Sequence, residues 1–228
     1  MKILIAAATW MEVKLLADEL DFIREKDKGL REYRLNGKEI DILITGIGTT
    51  FATFHLTHTL QQHAYNMVIN LGIAGSLNPG LKIGEVVNVV TEEFADLGIE
   101  KREEFLTLFE SGFLDSNEFP FENGMLKATG SDNWLSLKKV HGVTANISHG
   151  KSTSINEIRQ KYGADVESME GAAVFFVCLN LKVPCFQIRA ISNYVEPRDP
   201  VKWDIPQALI NLKSILLKLL ENLSVPVS

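Results

Sequence analysis

The chain has 228 residues, 46% hydrophobic and 23% charged, with 23 basic against 29 acidic side chains and a net charge of −6. A chain of this length buries a large core without disulfides or metal clips, and its composition is that of a globular protein rather than a disordered or fibrous one. The acidic balance gives no electrostatic reason to bind nucleic acid or an anionic membrane, and no apolar run is long enough to span a bilayer.

Lys2–Ala8 reads as a fully buried strand. Its single basic residue and the early Glu12 argue against a signal peptide, so the protein is expected in the cytoplasm. An amphipathic helix follows over Met11–Leu20, with Val13, Leu15, Leu16 and Leu20 on its apolar side. Asn36-Gly37 joins Glu32–Leu35 and Ile40–Thr45 as a tight hairpin. The second of these ends in Gly46-Ile47-Gly48, after which Thr49 or Thr50 can cap a helix reaching His63. Strand Met67–Leu71 runs into the small-residue turn Gly72-Ile73-Ala74-Gly75-Ser76, and strand Glu85–Val90 follows.

From Phe94 to Gly130 periodicity fades, and this stretch reads as an insertion over a rim rather than a core element. A strand over Val143–Ile147, a helix at Ile155–Tyr162 and a short strand at Asp165–Ser168 come next. The apolar helix Glu170–Leu181, the strand Cys185–Ile191 and the helix Pro206–Leu223 complete the chain. No stretch has the composition of a linker, so residues 1–228 are read as one domain. The two cysteines, Cys178 and Cys185, lie in apolar stretches without zinc-ligand or C-x-x-C spacing, and read as buried reduced thiols.

Apolar strands alternating with helices imply an α/β fold with a sheet covered on both faces. Ligands of such folds bind outside the carboxyl ends of the strands. Glu12 stands at that edge, where it serves either as a dipole-favoured surface residue or as a functional acid. Glu170 opens a helix that is otherwise apolar; N-terminal amides would hold it anionic as an acceptor for sugar hydroxyls, or it merely caps the helix. Ser192 and Asn193 follow a buried strand with short side chains able to read a heterocycle edge, unless they are ordinary turn residues.

Together these places resemble the purine nucleosidase and phosphorylase superfamily, in its methylthioadenosine/S-adenosylhomocysteine nucleosidase-like branch. The matching text is Trp10-Met11-Glu12, Thr45-Gly46-Ile47-Gly48, Asn70-Leu71-Gly72-Ile73-Ala74-Gly75, Glu167-Ser168-Met169-Glu170-Gly171-Ala172-Ala173 and Arg189-Ala190-Ile191-Ser192-Asn193. Within the branch, Phe94–Gly98 and Ile191–Asp199 followed by Trp203 are most similar to the futalosine hydrolases of menaquinone biosynthesis.

The resemblance implies a three-layer α/β sandwich with a central mixed sheet flanked by helices, a homodimer, a nucleoside as the small-molecule substrate, and no metal or organic cofactor. It makes Glu12 the base that deprotonates the attacking water and sets Glu170 on the ribose 2′ and 3′ hydroxyls with Met169 packed against the sugar. Ala74 and Gly75 would let the backbone approach base and sugar, with Ile47 and Ser192 completing the substrate contacts.

Asn193 departs from the adenine-releasing members, which carry an aspartic acid there. An amide cannot be that acid, but it offers a donor and an acceptor together, which suits a 6-oxopurine leaving as hypoxanthine. The residues name no source for the N7 proton. Ala7–Glu12 lacks the glycine and arginine of a phosphate loop, which favours water as nucleophile. Arg198 could meet the benzoate carboxylate of futalosine.

Methylthioadenosine/S-adenosylhomocysteine or aminodeoxyfutalosine cleavage is the alternative within the enzymes. A dehydrogenase would need its glycine fingerprint after the first strand, and Gly46-Ile47-Gly48 is late and incomplete. His55, His58 and His63 share one helix with no acidic partner at ligand spacing. A non-catalytic purine-binding protein would have no need of Glu12. Ile147–Gly150 is the candidate stretch for stacking on the base.

Overall fold

The computed structural model describes residues 1–102, 104–129, 136–197 and 199–223. In chain order the elements are β1 (Lys2–Ala7), α1 (Trp10–Ala17), β2 (Asp21–Asp27), β3 (Leu30–Leu35), β4 (Lys38–Ile44), α2 (Thr49–Gln62), β5 (Met67–Ser76) and β6 (Val86–Phe94). There follow β7 (Gly98–Lys101), β8 (Glu104–Thr107), β9 (Leu126–Lys127), β10 (Lys138–Thr144), α3 (Ser152–Tyr162), β11 (Val166–Ser168), α4 (Gly171–Asn180), β12 (Cys185–Tyr194) and α5 (Ile205–Asn222).

Nine strands form one path, β11-β10-β6-β12-β5-β1-β4-β3-β2, and β9 pairs with β6. The sheet is mixed: β1 runs parallel to β4 and β5, whereas β12 is parallel to β5 and antiparallel to β6. Short β11 pairs parallel with β10 and antiparallel with the last residues of β5, so the β11-β10-β6-β12-β5 part closes on itself. Pairing of β5 with β1 ends at Asn70, and its last residues lie between β12 and β11 around one hollow.

Alternation along β1 shows why the sheet needs cover on both faces. Ile3, Ile5 and Ala7 pack with Val13 and Leu16 of α1 and with Leu212, Leu216 and Leu220 of α5. Leu4 and Ala6 point the other way, to Leu56 of α2 and Phe175 and Cys178 of α4. Each such buried aliphatic side chain contributes about 1.5–3 kcal/mol. The expected sandwich is observed.

Several elements differ from the expectation. The Asn36-Gly37 hairpin forms, with φ of 50° and 76° at the two turn residues, but its first strand is itself paired with β2. Strand β2, Asp-Phe-Ile-Arg-Glu-Lys-Asp, is a largely exposed edge strand without an apolar face, so periodicity gives no sign of it. Helix α1 stops at Ala17, and Asp18 closes it. Gly72–Ser76 is not a turn: β5 continues through it, because β12 and then β11 supply partners. Nor does the 94–130 region lie wholly over a rim. Phe121 and Leu126 are buried against Phe175 and Cys178, while β7 and β8 form a separate hairpin.

Candidate active site

Five carboxyl-terminal strand ends meet at one side of the sheet. They deliver Glu12 after β1, Ile47 after β4, Ala74 and Gly75 within β5, Met169 and Glu170 after β11, and Ser192 with Asn193 in β12. All eight line a single cavity of about 340 Å³. Thus residues up to 181 positions apart, from Glu12 to Asn193, share one hollow of ligand size.

Glu12 sits in the first turn of α1 and divides its carboxylate between two tasks. Oε2 accepts from the Thr9 backbone N–H and hydroxyl, both at 3.0 Å, whereas Oε1 accepts from the Ile73 N–H at 3.2 Å. The helix-capping role and the cavity-facing role therefore coexist in one side chain.

Glu170 corrects the expectation. It occupies the N-cap of α4, yet its side chain makes no capping bond there. Oε1 instead accepts the Gly48 N–H at 2.9 Å, which ties the Gly46-Ile47-Gly48 loop to the cavity. Burial pushes its carboxyl pKa up, against the opposing pull of Arg189 and the Gly48 amide, and Glu12 pushes it further up.

Asn193 is aimed by a bulge. The β12–β5 register shifts between Ile191 and Asn193, leaving Ser192 as the extra residue. Ser192 is not an exposed turn residue but a buried one: its hydroxyl lies 3.3 Å from the Ala74 carbonyl and 2.8 Å from Asn193 Oδ1. Asn193 Nδ2 donates to the Tyr194 carbonyl at 2.9 Å, so the carboxamide orientation is held and one N–H remains for a ligand.

Arg189 beneath the cavity, and Glu167 and Trp203 in its lining, carry no role assigned from the sequence. Arg189 lies beneath the floor, 1% exposed, with Nη2 3.9 Å from Glu170 Oε2. Its Nε and Nη2 donate no hydrogen bond. A Cβ at Gly72 would collide with Arg189 Nη1 and Glu12 Oε1, so only glycine lets cation and carboxylate approach there. The available signal was a lone arginine within an apolar strand, which demands a counter-charge. Glu167 also lines the cavity, and Trp203 closes its edge together with Ile205. Of the stretch proposed for stacking, Ser148 reaches the lining and Ile147 is exposed. Arg198 lies outside the described residues.

His58 stacks on Phe54 and its ring contacts Gln62 at 3.1 Å. Among the described residues no helix is long and apolar enough to cross a membrane.

The family model of the phosphorylase superfamily matches residues 2–221. The chain belongs to the phosphorylase superfamily. Within it, the chain is 30% identical over 215 residues to a futalosine hydrolase of Acidothermus cellulolyticus, covering 93% of this chain and 87% of the relative. It is 31% identical over 191 residues to a futalosine hydrolase of Thermus thermophilus, covering 82% and 83%. In three dimensions this superfamily member is similar to the futalosine hydrolase of Helicobacter pylori, with a TM-score of 0.82 at 20% identity over 98% of each chain. It is equally similar to the 5′-methylthioadenosine/S-adenosylhomocysteine nucleosidase of that organism, solved with butyl-thio-DADMe-Immucillin-A: TM-score 0.82, 22% identity, 98% of this chain and 99% of that one. The second pair shows the common fold; the curated relatives narrow the branch.

Proposed function

We propose that this protein hydrolyses the N-glycosidic bond of futalosine, releasing hypoxanthine and dehypoxanthine futalosine, as a step of menaquinone biosynthesis. The observation that carries the proposal is the convergence of Glu12, Glu170 and Asn193 on one cavity in a chain whose curated relatives are futalosine hydrolases.

Glu12 Oε1 takes the proton of a water as its oxygen bonds to the anomeric carbon. The C1′–N9 bond breaks and its electron pair leaves with the purine. Glu170 accepts from the ribose hydroxyls, and Met169 packs against the sugar. Both carboxylates oppose the positive charge of the oxocarbenium-like transition state. Ala74 and Gly75 let base and sugar come close to the backbone of β5, and Ile47 and Ser192 complete the walls. The free N–H of Asn193 opposes negative charge growing on the departing base.

Water rather than phosphate is the nucleophile in this reading. Glu12, Glu167 and Glu170 all line the cavity, and no lysine or arginine does so among the described residues. Such a lining repels a phosphate dianion. The chain is read as a homodimer, supported by the aromatic face of α2, and as cytoplasmic, in keeping with the unpaired thiols of Cys178 and Cys185.

The test is incubation of the purified protein with futalosine, aminodeoxyfutalosine, inosine and methylthioadenosine, identifying each base set free by chromatography. Hypoxanthine from futalosine is expected, with at least about 100-fold lower kcat/KM on the two 6-amino nucleosides. Adenine release as the main activity would replace this reading with the methylthioadenosine-type one.

A further inference from the structure

Glu170 stands at the N-cap of α4 but does not cap it, so the first amides of that helix need other acceptors. An N-cap side chain ordinarily accepts the N–H of the second or third helical residue. In α4 the second is Ala172, and its N–H goes instead to the Thr144 hydroxyl at 2.8 Å. The Gly171 N–H reaches Ser168 Oγ at 3.3 Å. Two hydroxyls, from the ends of β10 and β11, thus cap the helix. The Glu170 carboxylate is left to take the Gly48 N–H and face the cavity.

Thr144 is held in place for this exchange. A backbone N–H can only donate, so the Thr144 oxygen accepts from Ala172 and its own proton must go elsewhere. It goes to Glu92 Oε2 at 2.9 Å, and the other oxygen of Glu92 accepts from Gln187 Nε2 at 2.6 Å. Thr144, Glu92 and Gln187 are all fully buried, so no bulk water is at hand to replace the hydroxyl. A Cβ at Gly171 would collide with Glu92 Oε1, and glycine there lets the first turn of α4 settle on this group. Register brings the parts together, because Thr144 pairs with Ser168 of β11, two residues ahead of Glu170.

We propose that Thr144 is the positioning residue that frees Glu170 for the sugar: by capping α4 from a neighbouring strand, it keeps the carboxylate from turning back onto its own helix. Without that hydroxyl the Ala172 N–H is orphaned within reach of the N-cap side chain. Glu170 then satisfies it and is withdrawn from the ribose and from Gly48. The use made of the freed carboxylate rests on the nucleosidase reading; the exchange of caps does not, and melting tests it without substrate.

Thr144→Val keeps the shape of the side chain and removes the hydroxyl. The bond to Glu92 is lost whatever stands at position 170, so comparing two backgrounds isolates the cap. In the wild-type background Glu170 takes over the Ala172 N–H; in Glu170→Ala no side chain at that position can. Thr144→Val should therefore lower the melting temperature by at least about 3 °C more in Glu170→Ala than in the wild type. With futalosine the order reverses. Thr144→Val should lower kcat/KM at least about 10-fold in the wild-type background and less than about threefold in Glu170→Ala, whereas Thr144→Ser should stay within about threefold of wild type. A side chain that merely stabilises the sheet would cost the same melting shift in both backgrounds, and that result overturns the proposal. Undiminished futalosine turnover by Thr144→Val overturns it as well.

Should the double variant not fold, the single variants decide: loss in Thr144→Val with rescue in Thr144→Ser supports the exchange, and equal kcat/KM for the two overturns it. Coupled melting with no base released from any nucleoside would reject the nucleosidase and leave the exchange of caps standing. Hypoxanthine release with additive melting shifts would do the reverse.

Discussion

Both oxygens of Glu12 are committed, one to Thr9 and one toward Ile73, with Arg189 close behind Gly72. That arrangement sets the experiment for its role. Glutamine at position 12 keeps the size and an oxygen for the Thr9 N–H, since capping boxes accept either residue. It cannot take a proton from water. Glu12→Gln is expected to lower kcat on futalosine by about 10²–10⁴-fold. Hypoxanthine affinity should stay within about threefold in calorimetry and the melting temperature nearly unchanged; retained turnover would remove Glu12 from the chemistry. At this scale much of the site was legible, because carboxylates and carboxamides at strand ends are few and stand out against apolar text. Arg189 and Glu167 were legible as residues but not as functions. Their meaning depends on β12 and β11 both lying beside β5, pairings between segments about 90 to 120 positions apart that no local pattern carries.

Helix α4 rests on a polar patch that its sequence conceals. Glu92 of β6 is wholly buried, accepting from Gln187 Nε2 at 2.6 Å and from Thr144 Oγ1 at 2.9 Å, with Gly171 of α4 against it. Burial pushes its pKa up to about 7 from the ordinary 4.5, although those hydrogen bonds and the Arg189 charge pull the other way. Between pH 4.5 and 7 the native protein keeps a proton that the unfolded chain loses, so rising pH subtracts stability across that window and no more above it. A neutral side chain has no such slope. Urea unfolding of Glu92→Gln against wild type should therefore show the variant gaining on the order of 3 kcal/mol relative to wild type between pH 4.5 and pH 8. Parallel stability profiles would contradict the raised pKa. Elements with an apolar face, such as β1, α5 and α4, were readable from spacing alone. Strand β2 was not, because neither face is buried, and the ends of β5 and β12 were not, because glycine, serine and asparagine mark turns unless distant partners hold them extended.

At the scale of the whole molecule, one side of the sandwich remains unsatisfied. Phe54 on α2 is 65% exposed and Phe113 of the 94–130 region is 72% exposed, with Phe51, Leu97 and Phe119 exposed as well. Phe54 and Leu97 line a hollow of about 780 Å³ between α2 and that region. Asp96 stiffens its rim by binding Asn146, which in turn receives the backbone N–H and hydroxyl of Thr49 at the start of α2. Isolated exposed phenylalanines are ordinary, but Phe51 and Phe54, one turn apart on α2, together with Leu97 beside a hollow with an ordered polar rim, mark an interaction surface. A second copy of the chain is the occupant that the homodimer reading requires. Light scattering is then expected to give twice the 25.4 kDa chain mass at micromolar concentration. Phe54→Asp should raise the dimer dissociation constant at least about 100-fold, as losing a buried aromatic anchor does. Ile47 stands two residues before α2 and lines the catalytic cavity, so dimer contacts on this helix lie next to the substrate wall. The Phe54→Asp monomer should consequently show a raised KM for futalosine with its melting curve still cooperative. A wild-type protein that stays at 25.4 kDa up to about 100 μM would reject the dimer, whereas a Phe54→Asp dimer would move the interface to another face.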